Sequence, residues 1–385
     1  MDIGTASAEP GERATGHLEA TALPTGGDER LPVIVARGEE DGPTLWVTGG
    51  VHGNELTGVA ATQDVLADGV PEGLRGTVVC VPICNPAGLR RVERTSYYHG
   101  DDPNRYFPGS DAEDGDDGAD DRVQELIAER LYDAIVESAD AHLDLHTAQV
   151  RSVPFVIRDR VLYDPETADE NGADGTDGDH GDGEETDGEG TDGGRTEEEA
   201  RDLADRLDAL AAATDLPVVT EYPAEEYTDR NLDRSAAGAV CNKAGIPALT
   251  LELGSYGVVE EDHRAAGVAA VYRAMVHLGM LDEVPADVAT EAPPLESPVD
   301  FPVRRFRGPN APRAAICRHR LEAGETFEAG ETIADLVSPH GDVLETVAVD
   351  HDGYVLGRAN AVCYENDPIT SLAVRDEDDL VAPRE

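Results

Sequence analysis

The sequence predicts an α/β fold with a mainly parallel, mixed sheet flanked by helices and a small all-β domain at the C-terminus. The chain has 385 residues, which is more than one ordinary domain needs. Short β-branched runs alternate with helical patterns through the first three quarters, as is typical of βα units. After a Pro-rich stretch the helical period disappears, and short strand-like runs separated by glycines remain.

The Pro-rich stretch divides the chain into two predicted domains. Residues 1–290 are predicted to form the α/β domain, 291–302 a linker, and 303–385 the all-β domain. Two segments rich in Asp, Glu and Gly, 110–121 and 164–199, are predicted insertions in the first domain. The second contains almost no apolar residue to bury, so we expect it to be disordered.

The predicted elements follow from hydrophobic periodicity. Core strands of the first domain are predicted at Thr44–Thr48, Thr77–Ile83, Ala141–His146, Pro154–Ile157, Pro217–Thr220 and Ala248–Leu253. Amphipathic helices with apolar residues at three- and four-residue spacing are predicted at Leu56–Leu66, Arg122–Ser138, Glu197–Ala213, Ala236–Ala244 and Ala265–Leu278. The C-terminal strands are predicted at Arg313–Cys317, Thr332–Val337, Leu344–Val349, Gly353–Leu356 and Ile369–Val374.

The charge of the chain is strongly negative. It has 81 acidic and 30 basic residues, giving a net charge of −51, and Lys243 is its one lysine. Phosphates would be repelled at long range, which argues against a nucleic-acid or membrane partner. A surface of Asp and Glu almost without Lys is typical of proteins from salt-loving archaea, so we expect a halophilic protein that needs salt to stay folded.

Targeting signals and cysteine pairs are absent from the sequence pattern. It has no run of eighteen apolar residues and no basic, apolar start, which predicts a cytoplasmic protein. The five cysteines are scattered without a CxxC pair, which indicates reduced thiols. A homo-oligomer is left open by these features.

Two histidines and a glutamate have the types and spacing of metal ligands. His52 and Glu55 lie at a strand-to-helix turn, and His146 closes an apolar strand. Imidazole nitrogens with a carboxylate oxygen suit Zn²⁺. Asp144 shares the strand face of His146 and is expected to fix its tautomer; His142 shares that face too but lies deeper. An HxxE pair is a weak signal alone, and a strand histidine is commonly a core residue.

Further polar residues occur where catalysis would need them. Asn104 and Arg105 place an amide beside a guanidinium, an arrangement suited to gripping a carboxylate. Glu252 is an ionisable group in an otherwise apolar strand end. Burial there would raise its pKa toward the range useful for a general base.

Five motifs in order carry a family resemblance. The series GGVHGNE, NPAG, RTSYYHGDDPNRYFPG, LDLHT and GIPALTLELG resembles the succinylglutamate desuccinylase/aspartoacylase family, which is related to zinc carboxypeptidases. The resemblance extends from about Leu31 to the C-terminus and is interrupted by the two acidic insertions. It implies a zinc-carboxypeptidase-like fold for the first domain and one Zn²⁺ per chain.

The resemblance also implies roles for residues that match the motifs. The metal ligands would be His52, Glu55 and His146, and Glu252 would be the general acid/base.

Four other residues are implied to act on the substrate. Arg94 would help polarise the scissile carbonyl, and Asn104 and Arg105 would hold the substrate carboxylate. Arg234 is a further candidate for substrate binding, on a looser alignment. Pro103 stands where the family has Leu, which leaves Asn104 and Arg105 in place.

The implied function is that of a zinc-dependent hydrolase with a small-molecule substrate. A metal-activated water would remove an N-acyl group from an amino acid or similar small amide, with Glu252 as base, and esters are also within reach of this chemistry. Two alternatives are a metallocarboxypeptidase acting on peptides and a non-catalytic zinc-binding relative.

Overall fold

The computed structural model describes residues 1–98, 100–109, 123–165 and 194–384. The predicted insertion at 110–121 lies outside the described residues. So do residues 166–193 of the predicted insertion at 164–199. Residues 197–199, which the predicted insertion shares with the helix predicted at Glu197–Ala213, begin that helix, and Thr196 and Glu199 form a reciprocal capping box at its N-terminus.

The described elements follow one another as strands and helices of mixed length. The strands are β1 (Asp2–Ile3), β2 (Ala6–Ser7), β3 (Arg13–Ala22), β4 (Asp28–Arg37), β5 (Glu40–Gly49), β6 (Arg75–Val81), β7 (Ala141–Ala148), β8 (Phe155–Arg158), β9 (Val161–Tyr163), β10 (Val218–Thr220), β11 (Ala248–Ser255), β12 (Val303–Arg307), β13 (Ala315–His319), β14 (Thr326–Phe327), β15 (Thr332–Val337), β16 (Val343–Ala348), β17 (Gly353–Arg358), β18 (Val362–Cys363), β19 (Thr370–Arg375) and β20 (Val381–Pro383). The helices are α1 (Leu56–Asp64), α2 (Pro86–Leu89), α3 (Val123–Val136), α4 (Glu197–Ala213), α5 (Ala224–Asp229), α6 (Ala236–Asn242), α7 (Glu261–His277) and α8 (Ala286–Glu291), with 3₁₀ turns at Pro103–Arg105 and Leu232–Arg234.

A twelve-stranded mixed sheet forms the centre of the molecule. Its strand order is β14-β17-β19-β12-β10-β8-β11-β7-β5-β6-β4-β3. The run β11-β7-β5-β6 is parallel, as are β8, β10 and β12 with one another, whereas the two ends of the sheet are antiparallel. The α/β fold with a mixed sheet, and the additional β strands at the C-terminus, are thus confirmed.

Helix α1 lies unusually close to strand β7. A Cβ atom on Gly58 would collide with the backbone carbonyl of Leu145, so glycine is required for this approach. The contact fixes the start of α1, immediately after Glu55, against the end of β7 that carries His146. The sheet and the helix therefore hold two of the predicted ligands in one place.

The N-terminal hairpin of β3 and β4 was not predicted. Its strands pair antiparallel over nearly their whole length, from Arg13 opposite Ala36 to Ala22 opposite Asp28. Strand β3 is largely half-exposed and mixes Arg, His, Glu and Thr with small residues. Its sequence consequently lacks the apolar run by which the central strands were predicted.

The C-terminal strands divide between two sheets. Strand β12 joins the large sheet beside β10, where Thr220 pairs with Arg304, and β19, β17 and β14 follow it outward. Strands β16, β15, β13 and β18 form a separate four-stranded sheet with a small apolar core of its own. The division of the chain at residues 291–302 stays a prediction, because the large sheet continues across it.

The end of the described chain returns to the α/β part. Strand β20 pairs in parallel with β9. Next to it, Arg160 is buried, and its Nη2 lies 3.1 Å from both carboxylate oxygens of the buried Asp376. The Nε of Arg160 also donates to the carbonyl of Tyr222 at 2.9 Å. This ion pair therefore attaches the last strands to the rest of the molecule.

Two observations on the described chain concern membrane spans and cysteines. Within the described ranges, no helix has both the length and the apolar character needed to cross a membrane. All five cysteines are buried and unpaired, in agreement with the reduced thiols predicted from their spacing.

We expect Arg160→Gln to destabilise the protein strongly. The substitution leaves Asp376 buried without its partner, which costs about 3–5 kcal/mol of unfolding free energy. Arg201→Gln is the control, because it breaks an exposed pair with Glu197 that is worth about 1 kcal/mol or less. Denaturant unfolding at one fixed salt concentration measures both, and equal losses would contradict the prediction.

Candidate active site

Three predicted metal ligands converge in the structure. The Nδ1 of His52 lies 2.9 Å from Glu55 Oε1, and the Nδ1 of His146 lies 2.7 Å from Glu55 Oε2. The two Nδ1 atoms are 3.1 Å apart. All three residues are buried, and they form a group with ligand atoms within 4.8 Å of one another. The three side chains that the sequence motifs indicated therefore lie together in the structure.

Glycines make the turn before α1 sharp enough for this convergence. Gly50 adopts φ +66°, which L side chains rarely adopt. A Cβ atom on Gly53 would collide with the backbone of Gly88 in α2. The turn that carries His52 is thus packed backbone to backbone, which holds the imidazole in place.

The far nitrogens of both imidazoles face carboxylates. The Nε2 of His52 lies 2.9 Å from Asp102 Oδ1, and the Nε2 of His146 lies 2.6 Å from Asp144 Oδ2. Each carboxylate accepts the Nε2 proton, so the Nδ1 lone pairs of the two rings point toward each other and toward Glu55. Two facing lone pairs beside a carboxylate repel one another unless a cation lies between them. This donor set fits a divalent metal ion such as Zn²⁺.

Asp144 is itself held by a buried hydrogen-bond chain. The hydroxyl of Thr48 donates to Asp144 Oδ1 at 2.6 Å and lies 2.8 Å from the Nε2 of His142. Burial lowers the pKa of His142 to about 4, so its ring is neutral and donates to Thr48. His142 thus reaches the ligand group only through Thr48 and Asp144. This agrees with the sequence analysis, which placed His142 deeper in the strand than His146.

Arg94 lies directly at the predicted metal site. Its Nη1 is 3.0 Å from Glu55 Oε1, and its Nη2 is 2.9 Å from Asp102 Oδ2. Burial raises the pKa of Asp102, but the hydrogen bond and charge of His52 and the charge of Arg94 outweigh it and hold that pKa well below its usual range. The guanidinium is therefore surrounded by ionised carboxylates at the group it was predicted to serve.

Glu252 faces the same site from the neighbouring strand. It lies on β11 in register with His146 on β7. Its Oε2 is buried and has no hydrogen-bond partner among the described residues. Burial raises the pKa of Glu252, and the nearby charge of Glu55 raises it further. A carboxyl group with these properties can exchange a proton with a bound molecule.

A cavity of about 680 Å³ opens from the ligand group. Its wall contains buried polar atoms that have no hydrogen-bond partner among the described residues. These atoms are Asn54 Oδ1, Thr147 Oγ1, Gln149 Oε1, Asp159 Oδ2, Tyr222 Oη, Glu252 Oε2 and Arg305 Nε. Because buried polar groups are normally paired, the cavity is suited to a polar ligand that would satisfy them.

The predicted carboxylate grip also lines this cavity. The side-chain oxygen of Asn104 accepts from the amide of Ala236 at 2.7 Å, which fixes the orientation of its amide. The Nε of Arg105 donates to the carbonyl of Arg230 at 2.9 Å. Both side chains are thereby held by backbone groups and face the cavity.

Arg234 is placed differently from the other predicted site residues. Its Nη2 donates to the carbonyl of Gly109 at 2.9 Å, and its Nε to the carbonyl of Arg105 at 3.4 Å. It does not belong to the cavity wall, so its part in substrate binding stays a prediction. The 3₁₀ turn at Leu232–Arg234 directs its side chain toward the 105–109 segment instead.

Several cavity residues were missed in the sequence. Asp102 lies inside a quoted motif, next to Asn104 and Arg105, and its place there was a usable signal. The others lie on strands, after strand ends or, for Arg230, at the end of helix α5. No motif marks them, and the fold brings them to the cavity: Asp159, Glu221, Tyr222, Arg230, Arg305 and Arg307.

Comparison with known proteins supports the family resemblance. Residues 41–168 match the model of the succinylglutamate desuccinylase/aspartoacylase catalytic domain. The family resemblance predicted from the motifs is confirmed. The match to the succinylglutamate desuccinylase/aspartoacylase model contains the three converging residues, Arg94, Asn104 and Arg105, whereas Glu252 lies beyond it.

A curated deacetylase is a further similar protein. The chain is 33% identical over 182 residues to the N-alpha-acetyl-L-2,4-diaminobutyric acid deacetylase of Halomonas elongata. The alignment covers 42% of this chain and 50% of that protein. The chain therefore matches about half the length of this curated relative.

Several solved structures share the fold of this chain. A succinylglutamate desuccinylase/aspartoacylase from Rhodobacter sphaeroides has a TM-score of 0.68 at 22% identity, covering 96% of each chain. An aspartoacylase family protein from Mesorhizobium loti has 0.66 at 21%, covering 98% of this chain and 100% of its own. The product-bound ectoine utilization protein EutE (DoeB) from Ruegeria pomeroyi has 0.66 at 18%, covering 97% and 100%.

We expect Asp144→Asn to weaken zinc binding about tenfold to a hundredfold, the usual effect of losing a carboxylate that orients a ligating histidine. The physical reason is the loss of the acceptor that holds His146 with its Nδ1 lone pair toward Glu55. Asp140→Asn is the control, because Asp140 precedes the same strand but accepts from the amide of Thr44, away from the site. Competition titration with a chromophoric chelator measures both, and equal zinc affinities would contradict the assignment.

The unfolding free energy should fall as pH rises because of Asp159. Burial and the charge of Glu221 raise the pKa of Asp159 to about 8, against about 3.9 in the unfolded chain. A raised pKa gives stability that is present at low pH and is lost as pH rises through 8. Between pH 5 and 7 the loss approaches about 1.4 kcal/mol per pH unit.

Asp159→Asn removes this titration. Urea unfolding of both proteins from pH 5 to 8 at fixed salt isolates the contribution of Asp159 as the difference between their slopes. Parallel pH profiles would show that Asp159 is ionised throughout.

Proposed function

We propose that this protein is a zinc-dependent hydrolase that removes an N-acyl group from an amino acid or a similar small amide. The observation that carries the proposal is the convergence of His52, Glu55 and His146 at one cavity, with Glu252 beside them. The confirmed family resemblance and the similarity to a deacetylase support it.

Zn²⁺ would be held by His52, Glu55 and His146. When bound there, the metal polarises the scissile carbonyl and makes water more acidic. The hydrogen bonds that the two imidazoles donate to Asp102 and Asp144 keep both rings in the tautomer that ligation needs.

Glu252 would move the proton in both halves of the reaction. Its unpartnered Oε2 accepts a proton from water as the C–O bond forms, and the raised pKa of Glu252 favours the protonated state that results. The same proton then passes to the leaving nitrogen as the C–N bond breaks. One carboxyl group thus serves as base and then as acid.

The arginine and asparagine side chains would bind the negative charges of the substrate. Arg94 stabilises the charge that develops on the carbonyl oxygen, since it already lies against the ligand carboxylate. Asn104 and Arg105 hold the substrate carboxylate, as the resemblance implies.

The substrate class follows from the cavity and the curated relative. A volume of about 680 Å³ suits a small ligand. The relative from Halomonas elongata is named for an N-acetylated diamino acid, which makes that compound the first to assay. We also propose that the enzyme is cytoplasmic, because the sequence has no long apolar run, and that it requires salt, because its composition is strongly acidic.

Glu252→Gln should remove most turnover and leave zinc bound. The amide cannot accept the proton, so kcat is expected to fall about 10²- to 10⁴-fold. Glu261→Gln, at the exposed start of α7, is the control. Initial rates and metal content by atomic absorption are measured on the same samples, and unchanged kcat would show that another group is the base.

A substrate panel tests the proposed class directly. N-acetylated and N-succinylated amino acids are assayed beside short peptides with free C-termini, at several salt concentrations, with zinc-loaded protein. We expect turnover of the acyl amino acids. Turnover confined to the peptides would favour the metallocarboxypeptidase alternative and contradict the proposal.

A further inference from the structure

Arginine side chains are concentrated in the cavity of an otherwise acidic protein, where they lie beside the acidic side chains of Glu55, Asp102, Asp159, Glu221 and Glu252. The chain has 30 basic residues against a net charge of −51. Five guanidinium groups nevertheless line this one cavity: Arg94, Arg105, Arg230, Arg305 and Arg307. Such a concentration needs either carboxylate partners in the protein or an anion from outside it.

Three of the five guanidinium groups have carboxylate partners. Arg94 contacts Glu55, as described above. The Nη1 of Arg305 lies 2.8 Å from Glu221, and the Nη2 of Arg230 lies 2.7 Å from Glu226. These charges are compensated within the protein.

The other two have no carboxylate within ion-pair distance among the described residues. Arg105 donates to backbone carbonyls, and the side chain of Arg307 makes no hydrogen bond or ion pair among the described residues. Partial desolvation in the cavity lowers the pKa of each guanidinium; the charges of Asp102 and Glu221 raise the pKa of Arg105, whereas the like charge of Arg305 lowers the pKa of Arg307 further. Arg307 is therefore the cavity guanidinium least compensated by the protein, and Arg105 is compensated at longer range only.

The strand β12 explains why Arg307 reaches this cavity. Residues two apart on a strand point to the same face, so Arg305 and Arg307 both face the cavity. Arg304, between them, points to the other face and lines a different pocket. Strand β12 lies outside residues 41–168, so the C-terminal part of the chain contributes this group to the site.

We propose that Arg307 binds the carboxylate of the substrate together with Arg105, and that it is a specificity-determining residue. The inference rests on the proposed function for the identity of that substrate. A carboxylate has two oxygens and can accept from two guanidinium groups at once. Arg307 is also exposed at the cavity wall, where an anion arriving from solvent meets it first.

The test compares two substrates and two variants of zinc-loaded protein. The substrates are an N-acetyl amino acid that the enzyme hydrolyses and its carboxamide, which lacks the negative charge. The variants are Arg307→Gln and Arg304→Gln. A hydrogen bond between charged groups is worth about 1.5–3 kcal/mol, so Arg307→Gln should raise KM for the acid about 10- to 100-fold.

Other parameters should stay near their wild-type values. We expect kcat for the acid to change less than about threefold, and the carboxamide to be hydrolysed equally by wild type and Arg307→Gln, because no carboxylate contact is lost. Arg304→Gln should match wild type on both substrates. Arg307→Lys keeps the charge and should recover part of the loss. Equal losses on acid and carboxamide, or none, would overturn the inference.

A binding measurement that needs no turnover tests the role of Arg307 independently of the proposed function. Titration calorimetry with the same two compounds is done on zinc-loaded Glu252→Gln protein, with and without Arg307→Gln. Weaker binding of the acid alone supports the role of Arg307 even where the substrate panel shows no hydrolysis. Unchanged binding of the acid rejects that role, whatever the panel shows.

Discussion

Glu55 is a carboxylate buried between two imidazoles, and the architecture around it compensates that charge. The glycine turn, the close approach of α1 to β7 and the register of β7 with β11 all bring partners to this group. Asp102 and Asp144 orient the rings, and each is held in turn by Arg94 or Thr48. A cluster of buried polar side chains is stable when each of them has a hydrogen-bond partner. The neighbouring Oε2 of Glu252 has no partner among the described residues, which indicates a catalytic role for that carboxyl group.

Charge also distinguishes the cavity from the surface. The surface of the protein is acidic, whereas the cavity wall contains five guanidinium groups. Glu55, Glu221 and Glu226 form ion pairs with three of them. An anionic ligand would meet the remaining guanidinium groups only inside the cavity, and solvent salt would shorten the range of the repulsion from the acidic surface.

The central strands and helices were predictable because burial on both faces leaves apolar runs in the sequence, as in β6 and β11. The ligands were predictable because they lie within short motifs at strand ends. Strand β3 was not predictable, since its half-exposed residues carry no such pattern, whereas β4 contains an apolar run at 31–36 that was a usable signal. Asp159, Arg305 and Arg307 were not predictable either, because the pairing of distant strands alone brings them to the cavity, and nothing local marks them.

Strand β12 joins the large sheet beside β10, and β20 pairs with β9. Strands near the C-terminus therefore pair with strands that the ribosome synthesises much earlier. During synthesis, a nascent chain that has emerged only as far as β11 already contains His52, Glu55, His146 and Glu252. It still lacks two guanidinium groups of the cavity wall and the ion pair of Arg160 with Asp376. The pocket therefore acquires its full set of charges only after the ribosome has delivered strand β12.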